Sequence, residues 1–169
     1  MRSSVDRETV DLSTYPDLVV VYLGMRAKTL RGFGTLISFG PKLQRAAEAK
    51  PDGLLRNENF FWSLFPPHGG IRQYWRDFDS LERWTRSLPH QRWWQDFLRD
   101  AGGTEFWHET YFMRGGMESI YLNLGKPLGF AAFAPTQQAR GSMFSARRRL
   151  NLRPGESPEA PLAEHDLYA

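Results

Sequence analysis

The chain contains no cysteine among its 169 residues. Disulfide bonds, thiolate metal ligands and cysteine nucleophiles are therefore excluded. Such a composition suits a reducing compartment, so the sequence predicts a cytoplasmic protein. Long apolar runs are missing too, because no stretch approaches the ~20 residues that a membrane-spanning helix needs. Residues 1–12 are charged and lack the apolar stretch of a secretory signal. We expect no membrane partner.

The glycine-rich nucleotide motifs and the paired-histidine metal motifs are also missing. There is no Gly-x-Gly-x-x-Gly, no Walker loop and no Gly-x-Ser-x-Gly, and the run Arg31-Gly32-Phe33-Gly34 lacks the lysine of a phosphate loop. The four histidines never show the spacing of a helical zinc site: His68, His90, His108 and His165. The sequence therefore predicts neither a nucleotide cofactor nor a structural metal.

The excess of positive charge is small, with a formal net charge of +3. Five arginines cluster toward the C-terminus, at positions 140, 147, 148, 149 and 153. A short arginine run can contact phosphates. The main body carries mixed charge, however, which favours a solvated tail or helix end. We expect no nucleic-acid partner.

Aromatic residues are the abundant class, at 14% of the chain with 6 tryptophans and 12 phenylalanines. An apolar fraction of 41% over 169 residues is sufficient for the core of one compact domain. We place this domain at residues 17–150. A polar leader at 1–16 precedes it, and a tail at 151–169 follows, whose prolines and acids predict disorder.

Hydrophobic spacing predicts the order of the secondary-structure elements. Strands are expected at residues 18–23, 54–64, 71–76, 105–113 and 118–124, and helices at 31–50 and from 79 to about 101. Pro41 should break or kink the first helix, and Pro89 interrupts the second. A loop at residues 66–70 should close the hairpin, with His68 as a turn residue.

The predicted order is β-α-β-β-α-β with one extra strand. This is the split βαβ arrangement of ferredoxin-like folds, an α+β class. The two helices cover one face of the sheet and leave the other face bare. We therefore expect a second copy of the chain to cover it, in a homodimer.

Two histidines are candidates for chemistry. His108 lies within a predicted strand, where alternation places it on one face with Phe106 and Phe112. It is either a general base or a core histidine bonded to a backbone carbonyl. His90 shares a helix face with Trp94 and is either a pocket residue or a surface residue.

Five tryptophans fall on elements that should meet: Trp62, Trp75, Trp84, Trp94 and Trp107. Stacked indoles can sandwich a flat substrate, and an indole N–H can orient a carbonyl. Core packing is the commoner role of any single tryptophan, but this clustering favours a lined cavity.

Several segments, taken in order, resemble those of a known family: Val21-Tyr22-Leu23-Gly24-Met25-Arg26, Gln73-Tyr74-Trp75-Arg76, Trp107-His108-Glu109-Thr110-Tyr111 and Glu118-Ser119-Ile120-Tyr121-Leu122-Asn123. Over about residues 18–125 the chain is similar to the monooxygenase-like proteins allied to the antibiotic-biosynthesis monooxygenases. That group includes the polyketide monooxygenase of the fumagillin pathway. The resemblance implies a dimeric α+β barrel with the ligand pocket between sheet and helices.

Relatives in the wider superfamily oxygenate phenolic polyketides without a cofactor, degrade haem, dehydrate aldoximes with haem, or isomerise substrates. The stretch 74–94 is similar to the haem-degrading relatives, with Trp84 at their pocket tryptophan. Their axial histidine falls at Trp94, however, and an indole has no lone pair for iron. Their strand-one asparagine is replaced here by Leu23-Gly24. A haem would therefore need His90 or His108.

These observations predict an oxygenase or related oxidoreductase that acts without a cofactor on a hydrophobic, secondary-metabolite-like small molecule. His108 is the predicted base, and Arg76 and Trp84 are the predicted stabilisers of the anion. The predicted substrate-binding residues are Trp62, Trp75, His90, Trp94 and Tyr111. Two alternatives stay open. One is a haem-dependent dehydratase or oxidoreductase with His108 or His90 as the ligand, and the other is a non-catalytic dimer that binds a hydrophobic ligand.

Overall fold

The computed structural model describes residues 6–88, 90–113, 117, 119, 121–122, 127, 129–143 and 146–149. The chain divides into two units, one formed by Asp17–Phe112 and the other by Met1–Pro16 together with Met113–Ala169. The first unit contains a four-stranded sheet and three helices, and the second contains a three-stranded sheet. The tail expected at 151–169 lies outside the described residues.

The elements follow one another as β1 (Arg7–Val10), β2 (Val19–Ala27), α1 (Leu30–Glu48), β3 (Leu54–Leu64), β4 (Pro67–Trp75), α2 (Phe78–Thr85), α3 (His90–Arg99), β5 (Thr104–Phe112), β6 (Tyr121–Leu122), β7 (Thr136–Gln138) and α4 (Ala146–Arg149). The larger sheet is antiparallel, in the order β3-β4-β2-β5. Elements β2 to β5 therefore have the ferredoxin-like order. This confirms the α+β fold expected from the sequence.

The core of the larger unit lies between its sheet and its helices. Val19 and Val21 of β2 pack there with Trp75 of β4 and Leu81 of α2. The β-branched run that begins β2 suits a buried strand, because branched side chains pack well on a pleated surface. Trp75 is completely buried. It is the largest side chain of this core and marks the end of the sheet that α2 covers.

The hairpin between β3 and β4 is tighter than the sequence suggests. Residues 67–70 belong to β4, and His68 pairs with Arg26 of β2, so the prediction of a loop at 66–70 with His68 in a turn is wrong. The glycines of this segment lie within the strand, and at Gly70 the backbone of the neighbouring strand β2 comes close. A Cβ at Gly70 would lie 2.5 Å from the carbonyl oxygen of Leu23, so a side chain does not fit at this position of the strand.

The helices begin at side-chain caps. Thr29 accepts a hydrogen bond from the amide of Gly32 at the start of α1, and Asp77 accepts one from the amide of Ser80 at the start of α2. Helix α1 continues through Pro41, so the proline does not break it. The interruption expected near residue 89 is present, because α2 and α3 are separate helices.

The smaller unit is built around β1. This strand pairs with β6 on one side and β7 on the other, although the sequence predicts residues 7–10 as part of a polar leader. The extra strand expected at 118–124 is described only at Tyr121–Leu122, where it joins this sheet and not the larger one. The buried Thr9 hydroxyl donates to the Ser119 carbonyl.

Among the described helices, none combines the length and the hydropathy that a membrane-spanning segment requires.

Candidate active site on the helix-covered face of the sheet

The pairing of the strands decides which side chains share a face. Leu23 of β2 lies opposite Ile71 of β4 on one side and His108 of β5 on the other. Met25 lies opposite Phe106 in the same way. Because side chains alternate along a strand, these residues all lie on the face that carries the helices. The alternation expected for β5 is thus present.

A cavity of about 520 Å³ lies between α1 and this face of the sheet. Its walls are mainly aliphatic and aromatic side chains of α1, β2 and β4, including Leu23, Met25, Phe33, Leu36, Ile37 and Ile71. Phe61 and Ile37 are mostly exposed, 79% and 60%, and mark the open side of the cavity. Among its described lining residues there is no acid, lysine or arginine. The site suits an apolar ligand.

A row of carboxamide side chains leads from the core to this cavity. Gln73 is buried, yet both ends of its amide are satisfied. Its Oε1 accepts from the indole Nε1 of Trp75 at 3.2 Å, and its Nε2 donates to Oδ1 of Asn57 at 3.1 Å. Asn57 Nδ2 lies 3.5 Å from Asn59 Oδ1. Such pairing is what allows polar groups to lie beneath a helix.

Asn59 reaches the cavity wall, where it meets the carboxamide of Gln44 of α1. Asn59 Nδ2 donates to Gln44 Oε1 at 2.7 Å, and Gln44 Nε2 donates to Glu48 Oε1 at 2.9 Å. An amide nitrogen carries two N–H groups, so Asn59 keeps a donor for a ligand. This row was not predicted from the sequence, because residues 56–59 are all polar and give no alternation that would mark Asn57 and Asn59 as lying on the cavity face.

A second group of predicted residues meets near the start of α3. The rings of Trp75 and Trp84 lie 5.5 Å apart, and those of Trp84 and His90 lie 4.7 Å apart. His90 Nδ1 is 2.9 Å from the carbonyl oxygen of Thr85. A carbonyl only accepts, so Nδ1 carries the hydrogen and Nε2 keeps the lone pair.

The environment of His90 favours its neutral form. Burial lowers the pKa of His90 below its ordinary value, the bond to the Thr85 carbonyl opposes this effect, and the charge of His108 adds to it. His108 is exposed, with Nε2 3.1 Å from the Thr110 hydroxyl. His108 pairs with the cavity residue Leu23 on the neighbouring strand.

Arg76 forms ion pairs with two aspartates and does not contribute to the cavity. Its terminal nitrogens donate to the carboxylate of Asp52 at 3.2 and 3.0 Å, and its Nε donates to Asp77 at 2.9 Å. This network joins the turn before β3 to the cap of α2. The hydrogen bonds and charge of Arg76 hold the pKa of Asp52 below its usual value. Arg76 does not line the cavity described above.

The remaining predicted residues with described side chains, Trp62 and Tyr111, do not meet His90 or His108. Trp62 packs on His68 and Trp107, with ring centroids 4.7 and 4.5 Å apart, and Trp107 Nε1 donates to His68 Nε2 at 2.9 Å. This cluster lies on the face without helices, as does Tyr111, whose ring contacts Tyr22. The side chain of Trp94 lies outside the described residues. The sheet thus separates Trp62 and Trp107 from the core pair of Trp75 and Trp84.

A haem in the larger cavity would lack a suitable ligand. Neither His90 nor His108 is among the residues that line it. His68 does border it, but the His68 ring packs with Trp62 and Trp107, and its Nε2 lone pair accepts the hydrogen bond from Trp107. In the described part of the chain no three histidines, acids or cysteines form a group that could hold a metal ion. The residues around this cavity do not fit a haem.

A sequence-family model called monooxygenase af470-like matches residues 18–130, two thirds of the chain. The chain belongs to the monooxygenase af470-like family. This confirms the resemblance expected from the sequence, and the matched residues include all of the larger unit beyond its first residue. No curated protein sequence matches the chain significantly.

Solved structures share the fold of this family member at low sequence identity. An aldoxime dehydratase matches with a TM-score of 0.62 at 17% identity, over 79% of this chain and 39% of that one. The aldoxime dehydratase OxdRE, in complex with butyraldoxime, matches with a TM-score of 0.58 at 20% identity, over 79% of this chain and 38% of that one. The chain thus spans about two fifths of those enzymes. A mutant of SnoaB, a cofactor-independent oxygenase from Streptomyces nogalater, matches with a TM-score of 0.44 at 13% identity, over 56% of this chain and 91% of that one.

Proposed function

We propose that this family member is an oxygenase that acts without a bound cofactor on a hydrophobic small molecule. The observation that supports this most directly is the cavity beneath α1, which is apolar apart from a few polar groups such as the Asn59–Gln44 amide pair. Its volume of about 520 Å³ falls in the usual range of small-molecule sites. Membership of a monooxygenase family supports oxygenation as the reaction.

The lining indicates the class of substrate. Phe33, Leu36 and Ile71 offer flat and aliphatic surfaces that suit a fused-ring, polyketide-like molecule. The remaining N–H of Asn59 can donate to one oxygen of that molecule, a ketone or a phenol. The cavity is open beside Phe61 and Ile37, so a substrate that fills it displaces the water that reaches Asn59.

The proposed reaction begins with removal of a proton from a carbon that a ring ketone acidifies. His108 does not line the cavity, but it lies on the same face of the sheet, on β5 next to Leu23, so it is the base for a substrate that extends past Leu23 toward β5. The Asn59 amide stabilises the resulting enolate oxygen. The anion transfers one electron to O2, and the two radicals combine into a peroxide. Loss of water then leaves a new carbonyl. Overall, R2CH2 and O2 give R2C=O and H2O.

The oxyanion role is assigned to Asn59 rather than to Arg76. The guanidinium of Arg76 is engaged by the carboxylates of Asp52 and Asp77, so it has little freedom to follow a substrate. Trp84 is proposed to position His90 through ring contact, and not to touch the oxyanion itself. His90 in turn interacts with the base His108.

The helix-free face supports a homodimer as the proposed assembly. Trp62 and Tyr111 on that face are about half exposed, at 48% and 49%. Large aromatic side chains in such positions favour burial against another protein surface. A second copy that covers this face would leave the cavity on the opposite side of each sheet accessible.

The test is oxygen uptake by the purified chain with 1,8-dihydroxyanthrone, whose methylene group is acidified by the ring ketone, in buffer that contains EDTA. We expect uptake well above spontaneous oxidation, and one atom of ¹⁸O2 in the quinone product. Asn59→Leu should lower the rate at least ~10-fold, whereas Ser38→Ala, an exposed change on α1, should not.

Uptake equal to the uncatalysed rate with this and related anthrones contradicts the proposal. So does activity that appears only after haemin is added, together with a Soret band that disappears in His90→Ala or His108→Ala. That second result would instead support the haem-dependent alternative, since His90 Nε2 has a lone pair available for iron.

A further inference from the structure

A second cavity, of about 420 Å³, lies on the other flank of α1. It is bordered by Lys42, Arg45, Ala46 and Ala49 of α1, by Pro51, and by Trp84, Ser87, Leu88 and Trp93 around the corner between α2 and α3. We call it the Trp84–Trp93 groove. It shares no lining residue with the cavity beneath α1. The two are therefore separate sites.

Two cations, Lys42 and Arg45, border the groove. Lys42 and Arg45 are exposed, and within the described residues neither has a carboxylate at ion-pair distance. They are three residues apart, so they lie on the same face of α1. Arg45 Nε donates to the Pro41 carbonyl at 3.2 Å, which holds the guanidinium against the helix. Its two terminal nitrogens remain to bind a carboxylate side by side.

The two indoles of the groove are braced from behind. Trp84 contacts the rings of Trp75 and His90, and Trp93 contacts the ring of Phe39 at 5.6 Å. Aromatic side chains held in this way offer firm apolar surfaces to a flat ligand, because little conformational freedom is lost on binding. The groove therefore combines rigid indoles with two positive charges.

We propose that the Trp84–Trp93 groove binds an aromatic carboxylate. The ring lies against Trp84 and Trp93, and the carboxylate is held by Arg45 with Lys42 beside it. This proposal does not depend on oxygenase activity, because the groove and the cavity beneath α1 have different walls.

The test is calorimetric titration of the full-length chain with 2-naphthoate. We expect binding that weakens as NaCl is raised, since exposed charges are screened. Lys42→Gln and Arg45→Gln should each weaken it at least ~10-fold, as expected for a charge-assisted hydrogen bond. The neutral 2-naphthylmethanol should bind at least ~10-fold more weakly than 2-naphthoate, for the same reason.

The matched control is Arg92→Gln. Arg92 is exposed on α3 next to Trp93, does not line the groove, and within the described residues has no carboxylate at ion-pair distance. This variant should keep the affinity within about twofold, because it removes the same charge from outside the groove. Thermal melting of each variant confirms that it is folded.

Three results would overturn the proposal. The first is unchanged naphthoate affinity in folded Lys42→Gln and Arg45→Gln. The second is an equal loss in Arg92→Gln, which would indicate a general charge effect. The third is loss of binding in Leu36→Trp, a change that fills the cavity beneath α1 and would place the ligand there. None of them bears on oxygen uptake by the wild-type chain, so failure here leaves the oxygenase proposal to its own test.

Discussion

Replacement of His108 by alanine should separate the chemistry of this protein from its folding. The side chain is exposed, and its hydrogen-bond partner is Thr110 of the same strand. A surface change of this kind costs within about 0.5 kcal/mol, which moves the Tm of a chain of this size by about 1–2 °C. Loss of a general base costs about 100-fold or more in rate, or roughly 2.7 kcal/mol in the barrier.

The contrasting variant is His90→Ala. This change removes a half-buried ring from Trp84 and leaves the Thr85 carbonyl without its partner. The lost hydrogen bond accounts for about 1–3 kcal/mol and the ring contact for about 0.5–1.5 kcal/mol. Together these make about 1.5–4.5 kcal/mol, so the Tm should fall by about 3–18 °C. The two histidines differ because one is packed and the other is not.

Both quantities are measured on both variants, with oxygen uptake from the anthrone expressed per folded molecule and with thermal unfolding followed by circular dichroism. We expect a large loss of rate and a nearly unchanged Tm for His108→Ala. If that variant keeps its rate and loses only stability, the assignment of the base is wrong. His90 then becomes the base to test, because its Nε2 keeps a lone pair and burial keeps the ring neutral.

The remaining predictions concern stability and assembly. Gly24→Ala should lower the free energy of unfolding by about 1–3 kcal/mol, because its Cβ would lie 2.7 Å from the Trp107 indole. A Cβ at Gly34 of α1 would meet open space, so the matched Gly34→Ala should raise the free energy of unfolding by about 0.5–1 kcal/mol. Equal effects of the two substitutions in urea unfolding would contradict both predictions. Burial lowers the pKa of His90 in the folded chain, so as the pH falls the unfolded chain binds a proton at this position before the folded chain does. The contribution of His90 to stability is therefore complete above about pH 6.5 and decreases as the pH falls below that value. A Tm that does not change between about pH 7.5 and 5 would contradict this prediction. Sedimentation should give a homodimer near twice the chain mass of 19.6 kDa, and Trp62→Glu should release monomers; a wild-type monomer at micromolar concentration would refute the proposed assembly.

Most of the fold was predictable from local patterns. Strand β3 has the bounds that its sequence indicates, and β5 has the predicted alternation. The hairpin at His68 was not, because glycine is normally a sign of a turn. Gly70 is instead required by a contact across the sheet, with the Leu23 carbonyl, and a contact between distant residues leaves no mark in the local sequence.

The candidate site was predictable only in part, for a related reason. The sequence grouped Trp84 with Trp75 and paired His90 with Trp94, whereas the structure brings Trp84 into ring contact with both Trp75 and His90. The link from Asn57 to Gln73 depends on the register between β3 and β4, which one strand alone does not reveal. The face on which a strand residue lies matters equally. Trp62 and Trp75 were expected to meet, but they lie on opposite faces and are separated by the sheet.

The two faces of the sheet also differ in how they carry charge, and this bears on the reaction. On the helix-free face Arg72 forms an ion pair with Glu58 and lies over the ring of Tyr22. The cavity wall under α1 has amides in place of ions among its described residues. A fixed cation there would bind a phenolate substrate before reaction and stabilise both the bound state and the transition state. Such uniform binding lowers KM without raising kcat. The neutral dipole of Asn59 binds a ketone weakly and an enolate strongly, so its contribution grows as the proton leaves.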